Sequence, residues 1–211
     1  MALEFKPFDK IPRLKRAVVV TEKIDGTNAQ VYITTGTEEE PLPGALEFYD
    51  KYCLDTWAAV GGPFYMFAGS RNRWIHPGDD NYGFAGWVKD NAVALRSLGE
   101  GQHFGEWWGR GIGRNYGLTE RRFSLFNVHR WNSDNPNRPE CCHVVPTLAH
   151  SETADVEFEV ERLRTFGSVA APGFMKPEGV VVYHTAARSY FKVTLEKDAE
   201  WKGDNRVKDA A

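Results

Sequence analysis

A chain of 211 residues, 42% hydrophobic and 13% aromatic, has enough apolar material for a buried core and is too hydrophobic to stay disordered. Its net charge of −3 excludes a uniformly basic coat, so any nucleic-acid surface must be a local patch. No run of 18 apolar residues can span a membrane, "MALEFKPFDKIPRL" lacks a signal-peptide layout, and three cysteines without a disulfide framework point to a reducing cytoplasm.

The first strand pattern is 18–21, where β-branched residues dominate, and the second is 29–34, which alternates apolar with polar. Between them Asp25-Gly26 is a turn signal, which puts Lys23 at a strand end, on the rim of whatever pocket the sheet forms. The plain alternative is an exposed hairpin lysine. Further strand patterns follow at 64–68, 103–108, 123–128, 144–148, 179–184 and 190–194. A helix is predicted over 84–98, with Phe84, Trp87, Val88, Asn91, Leu95 and Leu98 on one face and Gly99 as its stop. A second is predicted over 154–166, with Val156, Val160 and Leu163 inward and Gly167 ending it. The polar stretches "TGTEEEPLPG", "HPGDDNYG" and "NSDNPNRPE" read as loops. With no repeat and no long linker, 1–211 reads as one α+β domain on antiparallel sheet.

Several positions carry chemistry in prospect. Glu106 in "FGEWWGRG" sits among aromatics and glycines, where a carboxylate is costly unless paired; it is either a structural ion pair or an acceptor for ligand hydroxyls. In "RRFSLFNV", Phe123 and Leu125 face one way and Ser124, Phe126 and Val128 the other, and one phenylalanine can stack on a base or simply fill the core. Glu178 stands ahead of a valine run, where it can bind Mg²⁺ with water and phosphate or remain solvated. Lys192 is mid-strand, facing solvent or a phosphate. Cations cluster in "IPRLKR", "SRNRW", "GRGIGRN" and "TERRF", with 15 Arg to 11 Lys. "CCH" at 141–143 has no standard zinc spacing and reads as buried thiols beside a strand.

In order, the chain offers K-x-D-G, S-R, G-E, an aromatic strand, E-G-V-V-V and a strand lysine. That series resembles the covalent nucleotidyltransferase superfamily of ATP-dependent ligases and capping enzymes. Within it the chain is most similar to the RNA ligase family, and "KIPRL", "TEKIDGTN" and "GSRNRWI" add to the likeness, which runs from about Ile11 to Lys202. The resemblance implies two antiparallel sheets flanked by helices with a nucleotide cleft between them. It implies Lys23 as the adenylylated nucleophile, within a nucleotide-binding set of Glu22, Lys23, Asp25, Asn28, Arg71, Glu106, Phe126, Glu178 and Lys192. Arg71 would lie near the sugar or a nucleic-acid phosphate, Glu106 on the ribose hydroxyls and Phe126 on the adenine, with Phe123 as the register alternative. Glu178 would serve the metal, Mg²⁺ or Mn²⁺, and Lys192 the α-phosphate. A lysine amine has an ordinary pKa of about 10.4, so burial, adjacent cations and a metal are the means by which such a site favours the neutral nucleophile.

The implied function is ATP-dependent joining of RNA ends, in single strands or a nicked duplex, through a lysyl-AMP intermediate. The alternatives are a DNA ligase, a GTP-using capping enzyme, or a nucleotide- or RNA-binding module without turnover. One departure keeps the last of these open. The family's final motif carries two lysines one residue apart, and here only Lys192 is present, with Tyr190 or Thr194 in the other place. The short flanks predict no appended OB-fold or NAD-specific domain, which favours ATP over NAD and leaves substrate contacts to this domain or to an accessory nucleic-acid-binding partner.

Overall fold

The computed structural model describes residues 5–36, 45–59, 62–132, 134–152 and 154–196. The loop expected at 35–44 lies, from residue 37 on, outside the described residues, as does the end of the family-like region beyond residue 196. In chain order the elements are β1 (Val18–Lys23), β2 (Thr27–Thr35), α1 (Ala45–Tyr52), β3 (Cys53–Ala59), β4 (Gly62–Ser70), β5 (Trp74–Ile75), α2 (Phe84–Asp90), α3 (Ala92–Leu95), a 3₁₀ turn (Arg96–Leu98), β6 (Gly101–Gly109), β7 (Arg121–Leu125), β8 (Cys142–Val144), β9 (Thr147–Ser151), α4 (Val156–Phe166), β10 (Gly179–His184) and β11 (Ser189–Thr194).

The strands form two sheets. One has the order β11-β10-β1-β9; the other runs β3-β4-β2-β6-β7-β8, with β5 beside β4. All pairs are antiparallel except β7 with β8. The outer face of the smaller sheet packs Val20, Val180 and Val182 against Leu163 of α4. The outer face of the larger sheet buries Ala29, Val31, Ile33, Trp107 and Phe123 against Phe84, Val88 and Leu95 of α2 and α3. A third cluster, of Ile24, Trp108, Tyr116, Val145 and Ala171 with Phe126 against it, lies between the sheets. Helices outside and two sheets inside give the α+β architecture its central cleft.

Local chemistry explains where the elements depart from the sequence reading. The helix predicted over 84–98 is broken at Asn91, whose φ of −106° and ψ of 11° leave the helical region. Asp80 starts α2 from outside, its carboxylate accepting from the N–H groups of Ala85 and Gly86. Asp155 caps α4 by accepting from Phe158 N–H. The single strand predicted at 144–148 is two strands in different sheets, because Pro146 has no N–H to continue a ladder and the chain crosses from one sheet to the other there. The run 45–59, given no element by its sequence, forms α1 and β3, and α1 rests its Phe48 and Tyr49 rings on Phe67 of β4 (centroids 5.3 Å in both cases). Among the described residues no helix is long and apolar enough to cross a membrane.

Candidate active site

Strands β1 and β2 do not pair with each other. β1 belongs to the smaller sheet and β2 to the larger, so Ile24-Asp25-Gly26 is the crossover between sheets and not a hairpin turn. The crossover stays tight because β6 packs directly against Gly26. A Cβ on Gly26 would stand 2.5 Å from Trp107 O and 2.7 Å from Trp108 Cβ, so glycine is needed here for close approach, not for the positive φ its turn signal suggests. The same approach lets Gly26 N–H donate to Glu106 Oε1 at 3.1 Å.

Register brings the acidic residues to Lys23. Lys23 pairs with Gly179 across β1 and β10, so Glu178, one residue earlier, meets its side chain, and Nζ donates to Glu178 Oε2 at 2.7 Å. Asn28 on β2 pairs with Glu106 on β6, which places both on the cleft face. Arg71 follows the end of β4 where Ser70 pairs with Ala29, and its charge acts on Glu106. Lys23, Asp25, Asn28, Arg71, Glu106 and Glu178 thus gather at one end of the cleft. Glu178 has a second oxygen that makes no hydrogen bond to another described residue, and a hard carboxylate with a free oxygen suits Mg²⁺ or Mn²⁺.

Burial raises Glu106 to about 7; the charges of Lys23 and Arg71 and the Gly26 N–H oppose the rise, and Glu178 adds to it. Below its folded value, the native protein holds a proton that the unfolded chain releases near the ordinary carboxylate value of 4.5. Stability from this group is therefore full below about 4.5 and is lost as pH rises towards about 7. Urea midpoints between pH 5 and pH 8 should fall more steeply across that window in the wild type than in Glu106→Gln. Parallel curves would remove Glu106 as the titrating group.

The aromatic position is decided by burial. Phe123 is fully buried against Phe84 and Trp87 (centroids 5.0 and 5.7 Å) on the far face of the larger sheet, so it is excluded as the register alternative. Phe126 lies just past β7, its N–H bonded to Phe104 O, in the cluster between the sheets that also holds Ile24. It is the ring on the side of the larger sheet that faces Lys23.

Two expectations need correction or refinement. Glu22 does not face the cleft with its side chain. Successive strand residues alternate, so with Lys23 in the cleft Glu22 points the other way, 1% exposed, where its carboxylate accepts from Ser168 Oγ and from the N–H groups of Val169 and Ala170 at 2.8 Å each. Burial raises its pKa against the pull of those three donors. Lys192 does lie on the cleft face, since it pairs with Val181, which pairs with Thr21. Level with Lys23, however, is Thr194, across Gly179; Lys192 is one pleat further, roughly 7 Å along the strand. Tyr190 is one pleat beyond that, its ring on Tyr183 at 4.7 Å. Of the two places open for a second lysine, the one level with Lys23 is Thr194.

Sequence reading missed Arg114 and Tyr116. Arg114 Nε stands 3.4 Å from Asp25 Oδ2, and its Nη1 donates to Lys176 O and to Glu196 Oε1. Tyr116 Oη accepts from Asp25 N–H at 2.9 Å, and burial pushes its phenol above the ordinary range. Both belong to "GRGIGRNYG", which presses on the crossover so closely that a Cβ on Gly113 would be 2.6 Å from Asp25 O. The repeated glycines signal a tight loop, but nothing in the sequence says that it braces Asp25.

A cleft between two sheets, entered by a lysine from the end of β1 and lined by two glutamates, defines the nucleotidyltransferase type of fold. The RNA ligase family model matches residues 16–194, so the chain belongs to the RNA ligase family. Solved structures of a Naegleria gruberi RNA ligase share the fold. A point variant with ATP and Mn is 18% identical, with a TM-score of 0.53, over 85% of this chain and 49% of that one. A variant with AMP and Mn is 17% identical (TM-score 0.54, 85% and 50%), and the ligase with PPi is 19% identical (0.52, 85% and 50%). The chain thus spans about half the length of these relatives. No curated protein matches it.

Proposed function

We propose that this chain is an ATP-dependent RNA ligase domain in which Lys23 is the nucleophile. The observation that carries the reading is the Lys23 amine, held by Glu178 at 2.7 Å at the mouth of the cleft, with Glu106 and Arg71 beside it. Nζ attacks the α-phosphorus of ATP, forming a P–N bond as the α–β P–O bond breaks and pyrophosphate leaves. The 5′-phosphate of one RNA end then takes AMP from the lysine, and a 3′-hydroxyl displaces AMP as the ends join. Glu178 Oε2 is the acceptor nearest the departing lysine proton. A divalent cation bound through Glu178 would neutralise phosphate charge. The relatives with ATP, AMP, Mn and PPi span that chemistry and support the choice of ATP.

The test is incubation with Mg²⁺ and α-labelled ATP, GTP or NAD, followed by sealing of an RNA nick and its all-DNA counterpart. Label from ATP alone and preferential sealing of RNA 3′-hydroxyl ends are expected. Label from GTP, or equal sealing of DNA, would move the chain to one of the rival activities.

Lys192 and Glu106 should separate in single-turnover adenylylation. Glu106, as a ribose acceptor, acts on bound ATP before and during attack, so Glu106→Ala should raise the ATP requirement by roughly 1.5–3 kcal/mol. Lys192, on the α-phosphate, meets redistributing charge with no second lysine in its motif. Lys192→Ala should lower the maximal rate roughly 10²–10³-fold with no rescue by ATP. A wild-type rate at saturating ATP would make Lys192 a solvent-facing strand lysine.

A further inference from the structure

Residues 5–16 read "FKPFDKIPRLKR". None is in a helix or strand, and every residue from 5 to 15 is exposed. Among the described residues the segment is tied to the fold near its end, where His184 Nε2 lies 2.7 Å from Leu14 O and Thr185 donates to Ala17 O. Four large apolar side chains recur at every third position: Phe5, Phe8, Ile11 and Leu14, exposed by 86, 88, 75 and 84%. A period of three is that of polyproline II, and Pro7 and Pro12 favour it by fixing their own φ and keeping Lys6 and Ile11 extended. The apolar side chains then form one line, with Lys6, Lys10, Arg13, Lys15 and Arg16 on the remaining positions and Asp9 as the single carboxylate.

These five cations form no ion pair with another described residue. In the other basic clusters four of the six arginines are engaged at the surface, while Arg71 and Arg110 form no ion pair with another described residue. Arg73 pairs with Asp79, Arg114 with Asp25 and Glu196, and Arg122 with Glu120, while Arg121 donates to the carbonyls of Arg110 and Tyr82. A polyanion therefore finds in this segment five cations within eleven residues, none ion-paired to another described residue, whereas unpaired cations such as Lys89, Arg138 and Arg188 lie singly along the chain.

We infer that residues 5–16 are a single-stranded nucleic-acid arm, in which bases stack on Phe5 and Phe8 while the cations meet the phosphates. Alternating rings and positive charge match a single strand, whose bases and phosphates alternate in the same way. An anionic membrane is the weaker fit, because the two prolines bar the continuous amphipathic helix that lies in a lipid interface. The arm leaves β1 at the end opposite Lys23, roughly 17 Å away, and twelve extended residues reach at most roughly 40 Å. It therefore holds the strand some nucleotides from the reacting end and serves capture, not chemistry. The choice of RNA rests on the ligase reading; the choice of a single-stranded polyanion does not.

Anisotropy of a labelled single-stranded RNA of about 16 nucleotides, titrated with the full chain over a range of salt, tests the arm. Replacing the five cations together by serine should weaken binding at least tenfold at low salt. It should also flatten the log–log salt slope by up to about 3.5, at about 0.7 per lost phosphate contact. Phe5→Ser with Phe8→Ser should weaken binding on the order of tenfold per stacked base and leave the slope unchanged. Both variants should form lysyl-AMP at the wild-type rate, which also shows that they fold. Unchanged affinity and slope in both variants would overturn the arm, as would wild-type binding to phosphatidylserine vesicles but not to the oligonucleotide. Equal binding of single-stranded DNA would keep the arm and overturn the preference for RNA. If the wild type forms no lysyl-AMP, the ligase reading fails while the anisotropy still decides the arm.

Discussion

Lys23→Ala should form no covalent AMP adduct, a loss on the order of 10⁶-fold, the scale for deleting a covalent nucleophile. Its neighbours have no means of replacing it. Lys192 is one pleat further along on another strand, and Arg71 and Arg114 carry guanidinium groups, which offer no amine to the phosphorus. Removing the amine also takes the hydrogen-bond partner from Glu178 and one of the two cations that act on Glu106, at a cost to stability of roughly 1–3 kcal/mol, small enough for the fold to survive. Intact mass after incubation with ATP and Mg²⁺ reads the first effect, and thermal melting the second. An adduct of unchanged mass in the variant would assign the nucleophile elsewhere.

Glu22→Ala should be the most damaging substitution outside the cleft. It strips the shared acceptor from Ser168 Oγ and two backbone N–H groups in a place closed to water, a loss of roughly 3–5 kcal/mol. At roughly 2–4 °C per kcal/mol for a chain of this size, the melting temperature should drop by about 6–20 °C. The clamped loop leads directly to Glu178, so adenylylation should fall as well, although no Glu22 oxygen faces the nucleotide side. Glu22→Gln keeps one carbonyl acceptor and should recover part of both losses. A melting temperature within about 2 °C of wild type in Glu22→Ala would show that the loop is held by other contacts.

The sequence by itself determined the strands that carry the site, because β-branched runs and alternation are local properties. It determined the order of the chemical residues too, and through them the family. Even the facing of 123–128 was legible: Phe123 and Leu125 go to one core, Phe126 and Val128 to the other, although the strand itself ends at Leu125. The resemblance favoured Phe126 and left Phe123 as the register alternative, since both are strand-type aromatics; only the position of α2 buries Phe123 on the far face. The same limit governs the central stretch. Asp25-Gly26 has the local form of a hairpin turn, and only the pairing of β1 with β10 and of β2 with β6 makes it a crossover that delivers Lys23 into a cleft. Glu22 and Lys23 are adjacent charges in the chain, yet the pleat sends one to a structural clamp and the other to Glu178, which stands just ahead of β10 and 155 residues away. Arg114 and Thr194 acquire their places from register and loop packing alone. Contacts between distant segments are set by which faces are buried together, and that is a property of the whole fold.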